Sequence, residues 1–268
     1  MQNETIAIHA GYNKKEGYGT MSVPISQTTA YAFRDSEHAA NLFALKELGP
    51  IYTRLNNPTT DVLEQRFAAL EGGAAAICTS SGQAASFYAI ANVAEAGDNI
   101  LISDKLYGGS VTLLTYTMKR FGITAKVFKS DDASDLESLI DDRTKAIYFE
   151  SLSNPQIAIP DVEKIATIGK KHGVLTICDN TVASAALFNP IKWGIDVVVH
   201  STSKYTNGQG TAIGGIVVER DGLAEFFKAN SNRYSHFTTP DESYHGLIYT
   251  DVPLPNFCLR IRLSLLRD

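Results

Sequence analysis

The 268-residue sequence predicts an α/β protein, a mostly parallel sheet with helices on both faces. Two patterns carry that prediction. From about residue 74, short β-rich runs alternate with amphipathic stretches, and the runs are continuously apolar, as in strands buried on both faces. Each run also ends in a turn of small and polar residues, and in open parallel sheets ligands bind just beyond those ends.

The elements follow in order. The first 50 residues hold scattered aromatics (Tyr12, Tyr18, Tyr31, Phe33) among turn residues and no sustained period before about 36 to 48, so they are read as an arm that packs on something else. The segment IYTRLNNPT then brings Tyr52 and Arg54 before a helix whose first turn holds Pro58. Four strand–helix pairs come next: AAAICT with QAASFYAIANVAEAG, NILISD with GSVTLLTYTMKRFG, AKVFK with SDLESLIDD, and KAIYFES with DVEKIATIGKKHG. VLTICDN, DVVVHS and GGIVVE read as further strands, the last leading into a helix at 221–230. PLPNFCLRIRLSLLRD opens one more amphipathic pattern.

The composition, 44% hydrophobic and 20% charged, is that of a globular protein with a sizeable core. A net charge of -5 supplies no basic field for a nucleic acid or an acidic membrane surface, so neither partner is expected and small-molecule chemistry is. Cys78, Cys178 and Cys258 are far apart and form no C-x-x-C pattern, which argues against both a disulfide framework and a metal site. The first residues lack an apolar leader and no run reaches membrane-spanning length, so a cytoplasmic protein is expected.

The strand ends carry the candidate chemistry. SSGQAA, containing Ser81, Gly82 and Gln83, opens an Ala-rich helix, whose first N–H groups suit a phosphate but equally make an ordinary helix cap. Ser201 and Ser203 are two residues apart, placed to reach one anion, and Lys204 follows. Lys204 is either a solvated lysine or an amine that condenses with an aldehyde held by that anchor. Asp179 ends an apolar strand, where it either caps the turn through Asn180 and Thr181 or faces a cation such as a protonated pyridine nitrogen. Tyr107, in LYGG, can stack on a flat ring or merely cover a loop; Asn154, in SLSNP, is a turn residue or a donor to a ring oxygen. Tyr52 and Arg54 are good phosphate ligands or a surface pair. Glycines 208, 210, 214 and 215 precede a strand instead of opening a helix, so they are not a dinucleotide fingerprint and speak against a nicotinamide-dependent reductase.

Together, YTR at 52–54, SSGQAA at 80–85, YGG at 107–109, ESLSNP at 150–155, DNT at 179–181 and HSTSKY at 200–205 resemble the Cys/Met-metabolism family of pyridoxal-phosphate enzymes, whose large domain has the aspartate-aminotransferase-like fold (fold type I). The resemblance implies pyridoxal 5'-phosphate as cofactor and Lys204 as the Schiff-base lysine. Gly82 and Gln83, in the turn begun by Ser81, would give N–H groups to the phosphate, with hydroxyls from Ser201 and Ser203. Tyr107 would stack on the ring and help in proton transfer, Asp179 would pair with the ring nitrogen, and Asn154 would touch the phenolic oxygen. Tyr52 and Arg54 would reach the phosphate of a neighbouring subunit, making a homodimer or homotetramer.

The motifs are most similar to those of the family's sulfhydrylases, implying γ-replacement on O-acetyl-L-homoserine with sulfide to give L-homocysteine and acetate, a step in methionine biosynthesis. The implied partners are a small amino-acid substrate and a sulfur donor. Cystathionine γ-synthase, a methionine or cystathionine γ-lyase, and a non-catalytic cofactor-binding fragment are the alternatives. Family members run on into a C-terminal domain carrying the arginine that binds the substrate carboxylate. The expected division is therefore an arm at 1–50, a pyridoxal-phosphate-binding domain at 51–245, and the start of an incomplete C-terminal domain at 246–268.

Overall fold

The computed structural model describes residues 2–15, 19–44 and 46–235; the expected C-terminal segment 246–268 lies outside them. In the arm, α1 (Asn3–His9) packs on α3, the Arg66 Nε donating to the Ala10 carbonyl, and α2 (Ser36–Phe43) starts where Asp35 accepts from the His38 N–H. α3 (Pro58–Glu71) begins as the sequence implies. Pro58 needs no intrahelical N–H partner there, Asn57 accepts from the Thr59 N–H, and Gly72 ends the helix in the left-handed conformation.

Among the described residues seven strands form one sheet in the order β1-β7-β6-β5-β4-β2-β3. They are β1 (Ala75–Thr79), β2 (Asn99–Ser103), β3 (Thr124–Phe128), β4 (Thr144–Glu150), β5 (Leu175–Asp179), β6 (Val197–Ser201) and β7 (Gly215–Glu219). The expected mostly parallel sheet is present, with one difference: β7 runs antiparallel to both neighbours, β1 and β6. All the other strands point the same way, so the ends of β1, β2, β4, β5 and β6 share one edge, and β7 starts at that edge.

Helices connect the strands. These are α4 (Gly82–Ala91), α5 (Gly108–Thr112), α6 (Met118–Arg120), α7 (Leu136–Leu139), α8 (Val162–His172), α9 (Ser184–Leu187) and α10 (Leu223–Ala229). The stretch 108–120 reads as one amphipathic segment in the sequence, yet a π-helical turn at Leu113–Thr117 separates α5 from α6. Successive strand residues face opposite sides. Ile100, Ile102, Tyr148, Ile177 and Val199 pack with Ala85, Ala89 and Ile90 of α4 and with Met118 and Phe227. Leu101, Ile147, Phe149 and Cys178 pack with Leu136 of α7 and with Ile165 and Ile168 of α8. Phe67 and Ala68 of α3 cover Ala76, Val198, Ile216 and Val218.

The sheet is therefore clothed on both faces, which is why its strands read as unbroken apolar runs. Burying a side chain such as Ile165 contributes on the order of 1.5–3 kcal/mol. No helix among the described residues is long and apolar enough to cross a membrane.

Candidate active site

The shared edge of the sheet collects the sequence-predicted residues. β1 leads into Ser81, whose side chain accepts from the Ala84 N–H and so starts α4. The first-turn N–H groups of a helix have no intrahelical acceptor, and those of Gly82 and Gln83 lie at this end of α4. β6 ends at Ser201, two strands away across β7, and Gly82 packs directly on it. A Cβ at Gly82 would stand 2.5 Å from the Ser201 Cβ and 3.0 Å from its Oγ. The absent side chain thus lets a hydroxyl and a helix N-terminus converge, the arrangement an anion needs.

Gly82→Ala is expected to force this contact apart and to destabilise the protein by about 1–3 kcal/mol in urea unfolding. An unchanged midpoint would mean that the approach is looser than drawn.

After Ser201 the chain turns. The Lys204 N–H donates to the Ser201 carbonyl at 3.3 Å, and the Gly208 N–H donates to the Lys204 carbonyl at 2.9 Å. The Lys204 side chain is exposed and, among the described residues, its ammonium has no ion pair or hydrogen bond. Ser203 lies two residues beyond the end of β6. Its Oγ accepts from the Gly214 N–H at 3.0 Å and lies 3.3 Å from the Gly214 carbonyl, so it fastens the loop that leads into β7.

Asp179 ends β5 half-buried. Its Oδ1 accepts from the Thr181 N–H (3.0 Å) and hydroxyl (2.5 Å), and its Oδ2 accepts from the Tyr148 hydroxyl at 3.2 Å. The Tyr148 oxygen lies 2.9 Å from Ser86 Oγ, whose single proton serves either Tyr148 or the Gly82 carbonyl. Tyr148 and Ser86 thus stand between Asp179 and the first residue of α4. Thr181 also fixes β6, its hydroxyl accepting from the Ser201 N–H at 2.8 Å. Burial, reinforced by Asp179, pushes the Tyr148 hydroxyl well above the usual tyrosine range.

Tyr107 caps the start of α5 with its ring half-exposed, lying over Gly109 and beside the Gln83 amide. A Cβ at Gly109 would meet the Tyr107 Cε1 at 2.4 Å and the Gln83 Nε2 at 2.9 Å. Asn154 is exposed in the turn after β4. The backbones of both residues are held by a group not singled out in the sequence, Glu150. It accepts from the Tyr107 N–H at 2.7 Å through Oε1 and from the Asn154 N–H at 3.0 Å through Oε2. The signal for it was present: Glu150, like Asp179, is an acid ending a buried strand, and the two are register partners.

Burial and then the nearby Asp179 push the Glu150 carboxyl up to about 7, against the opposing hydrogen bonds. Folded Glu150 thus keeps its proton in a range where the unfolded chain has released it. In the cofactor-free protein this contribution to stability falls as pH rises from the ordinary carboxylate range through about 7. We expect it to amount to roughly 1–3 kcal/mol and to vanish in Glu150→Gln, read from urea unfolding at about pH 5 and about pH 8. Equal pH slopes in the two proteins would refute it.

Tyr52 and Arg54 are not drawn into this cluster by any hydrogen bond among the described residues. They are exposed, the Arg54 guanidinium lies 5.3 Å from the Tyr52 ring centre, and Tyr52 bridges to Ala30 of the arm.

The residues present suit pyridoxal 5'-phosphate. They offer an anion cradle at Gly82 and Ser201, a half-exposed ring at Tyr107, a carboxylate at Asp179 and an unpaired amine at Lys204. The family model for Cys/Met metabolism PLP-dependent enzymes matches residues 4–247. Sulfhydrylase FUB7 of Fusarium oxysporum f. sp. lycopersici is 48% identical over 99% of this chain and 61% of its own length. O-acetyl-L-homoserine sulfhydrylase of Leptospira meyeri is 44% identical over 99% of this chain and 61% of its own.

A crystal structure assigned as an O-acetylhomoserine (thiol)-lyase from Campylobacter jejuni carries N'-pyridoxyl-lysine-5'-monophosphate at its position 205. It is 54% identical and superposes with a TM-score of 0.95, covering 100% of this chain and 65% of that one. The chain thus spans 61% of the length of both curated relatives. On motif, site and likeness alike, the chain belongs to the Cys/Met-metabolism family of pyridoxal-phosphate-dependent enzymes.

Proposed function

We propose that this site serves γ-replacement on O-acetyl-L-homoserine, sulfide displacing acetate to give L-homocysteine in methionine biosynthesis. The observation that carries the reading is the contact of Gly82 with Ser201, because it sets an anion cradle three residues before the unpaired Lys204. The names of the sulfhydrylase relatives support the choice of substrate and nucleophile. The lysine that bears the cofactor in the Campylobacter jejuni structure supports Lys204.

The N–H groups of Gly82 and Gln83, in the turn that Ser81 caps, and the hydroxyls of Ser201 and Ser203 would hold the phosphate. Tyr107 would lie on the ring, Asp179 would face its nitrogen, and Asn154 would reach its phenolic oxygen. Bound there, pyridoxal phosphate supplies an electron sink for the substrate's amino-acid carbon. Lys204 Nζ, free of any ion pair among the described residues, takes the proton from the substrate Cα and returns it, and the Tyr107 hydroxyl assists. Thr181 and Tyr148 hold Asp179 by donating to its two oxygens, so its charge stays aimed without relaxation during turnover. In the overall exchange the Cγ–O bond to acetate breaks and a Cγ–S bond forms.

Tyr52 and Arg54 we assign to the phosphate of a neighbouring subunit in a homodimer or homotetramer. Their exposure supports this. We place the protein in the cytoplasm, a reducing compartment that suits Cys78 and Cys178, which form no disulfide among the described residues. The division into an arm at 1–50, a cofactor-binding domain at 51–245 and a C-terminal domain opening at 246 goes with this reading.

The test is to supply O-acetyl-L-homoserine with sulfide, with cysteine, or with no nucleophile. Homocysteine formed only with sulfide supports the proposal. Cystathionine from cysteine, or a 2-oxo acid without a nucleophile, moves the assignment to a synthase or a lyase. Bound cofactor without any turnover identifies a non-catalytic cofactor-binding chain.

A further inference from the structure

Glu150 has two neighbours that the proposed chemistry uses, and it touches each through a different oxygen. Its side chain is 5% exposed at the end of β4. One oxygen closes the turn after β2 through the Tyr107 N–H, and the other closes the turn after β4 through the Asn154 N–H. A loop cap ordinarily satisfies donors of its own turn; this one spans 43 residues of sequence to Tyr107 and ties together the turns that follow two paired strands, β2 and β4. β4 lies between β2 and β5, so Glu150 stands at the middle of the shared edge, beside Asp179.

We propose that Glu150 is a positioning residue: a single buried carboxylate that fixes the spacing between the Tyr107 ring and the Asn154 amide on either side of the cofactor. The inference rests on the cofactor reading above. Ionised, as it is above about pH 7, Glu150 suits this task because both of its oxygens accept at once, so the comparison is made at about pH 8. Glutamine keeps the shape but offers one acceptor and one donor, so one of the two N–H groups loses its partner. The released turn then samples positions that the other no longer opposes. Outer-shell partners of this kind typically change affinity by about 10–100-fold when replaced.

The experiment titrates pyridoxal phosphate into the cofactor-free full chain, following its visible absorbance, for wild type, Glu150→Gln, Tyr107→Phe and the double variant. Thermal unfolding of each cofactor-free protein is measured alongside. Glu150→Gln is expected to melt within about 5 °C of wild type while its dissociation constant for the cofactor rises at least about tenfold. Tyr107→Phe keeps the ring, so any loss it causes comes from the hydroxyl, and that loss should shrink once Glu150→Gln has displaced Tyr107, making the double variant cost less than the product of the two single effects.

Wild-type affinity in Glu150→Gln overturns the inference, as does a fully multiplicative double variant. If Glu150→Gln does not fold, Glu150→Asp carries the same test. It retains the charge but is one methylene shorter, and unchanged affinity there overturns the inference equally. A wild-type chain that takes up no pyridoxal phosphate overturns the cofactor reading itself, a result distinct from wild-type binding matched by the variants.

Discussion

Lys204→Ala is expected to lower kcat/KM for O-acetyl-L-homoserine with sulfide by at least about 10²–10⁴-fold while leaving the fold intact. The two halves of that expectation have different physical origins. The amine is the group assigned to move the Cα proton, and a positioned general base contributes about 10²–10⁴-fold by itself. Its side chain is exposed, and among the described residues its ammonium holds no partner. Removing it leaves no buried group unsatisfied, so unfolding should change by no more than about 0.5 kcal/mol. Borohydride reduction and peptide mass mapping should place the cofactor on Lys204 in the wild type and nowhere in the variant. Turnover within tenfold of wild type, or a label on another lysine, would remove Lys204 from the mechanism.

How much of this was legible in the sequence depended on whether a property was local. Apolar runs mark strands because burial on both faces is a property of each run. The same run reads alike in either direction, however, so the antiparallel course of β7 left no local trace. Gly82 was legible as a helix start, but its contact with Ser201 depends on strand order and appears only when β1 and β6 flank β7.

Side-chain placement followed the same division. The motif placed Ser203 beside Ser201, but its hydrogen bonds with Gly214, 11 residues on, had no local trace. Asp179 drew notice as an acid closing an apolar run. Glu150 satisfies the same criterion, yet attention in ESLSNP went to Asn154, the residue with a family role. Glu71 carried no signal at all: as a polar residue at the end of a helix it looks like a solvated face, and only the tertiary fold buries it.

That burial makes Glu71→Ala the substitution with the largest expected effect on stability. Glu71, fully buried at the end of α3, holds three side chains from the loops and strand beneath the site. Its Oε1 lies 2.6 Å from His200 Nε2 and accepts from Asn180 Nδ2 at 3.0 Å, while Oε2 accepts from Asn189 Nδ2 at 3.4 Å. Asn180 and His200 directly follow and precede Asp179 and Ser201 in the chain, so one carboxylate braces two strand ends. Asn180 is bound on its other side as well, by the Ser151 hydroxyl at 2.7 Å.

Alanine would leave the buried His200 Nε2 and one buried N–H of Asn180 unpaired, the other Asn180 N–H keeping the Phe188 carbonyl, and breaking such a network from one side costs about 3–5 kcal/mol. Glu71→Gln keeps an acceptor in place and should cost only about 1–3 kcal/mol. Urea unfolding of the two variants separates the accounts. A loss near 3–5 kcal/mol for alanine and a smaller one for glutamine means that the network is built on acceptors. Equal losses would mean that the negative charge itself opposite His200 is what the fold requires, and an alanine variant within about 1 kcal/mol of wild type would mean that water replaces the carboxylate and the strand ends are braced elsewhere.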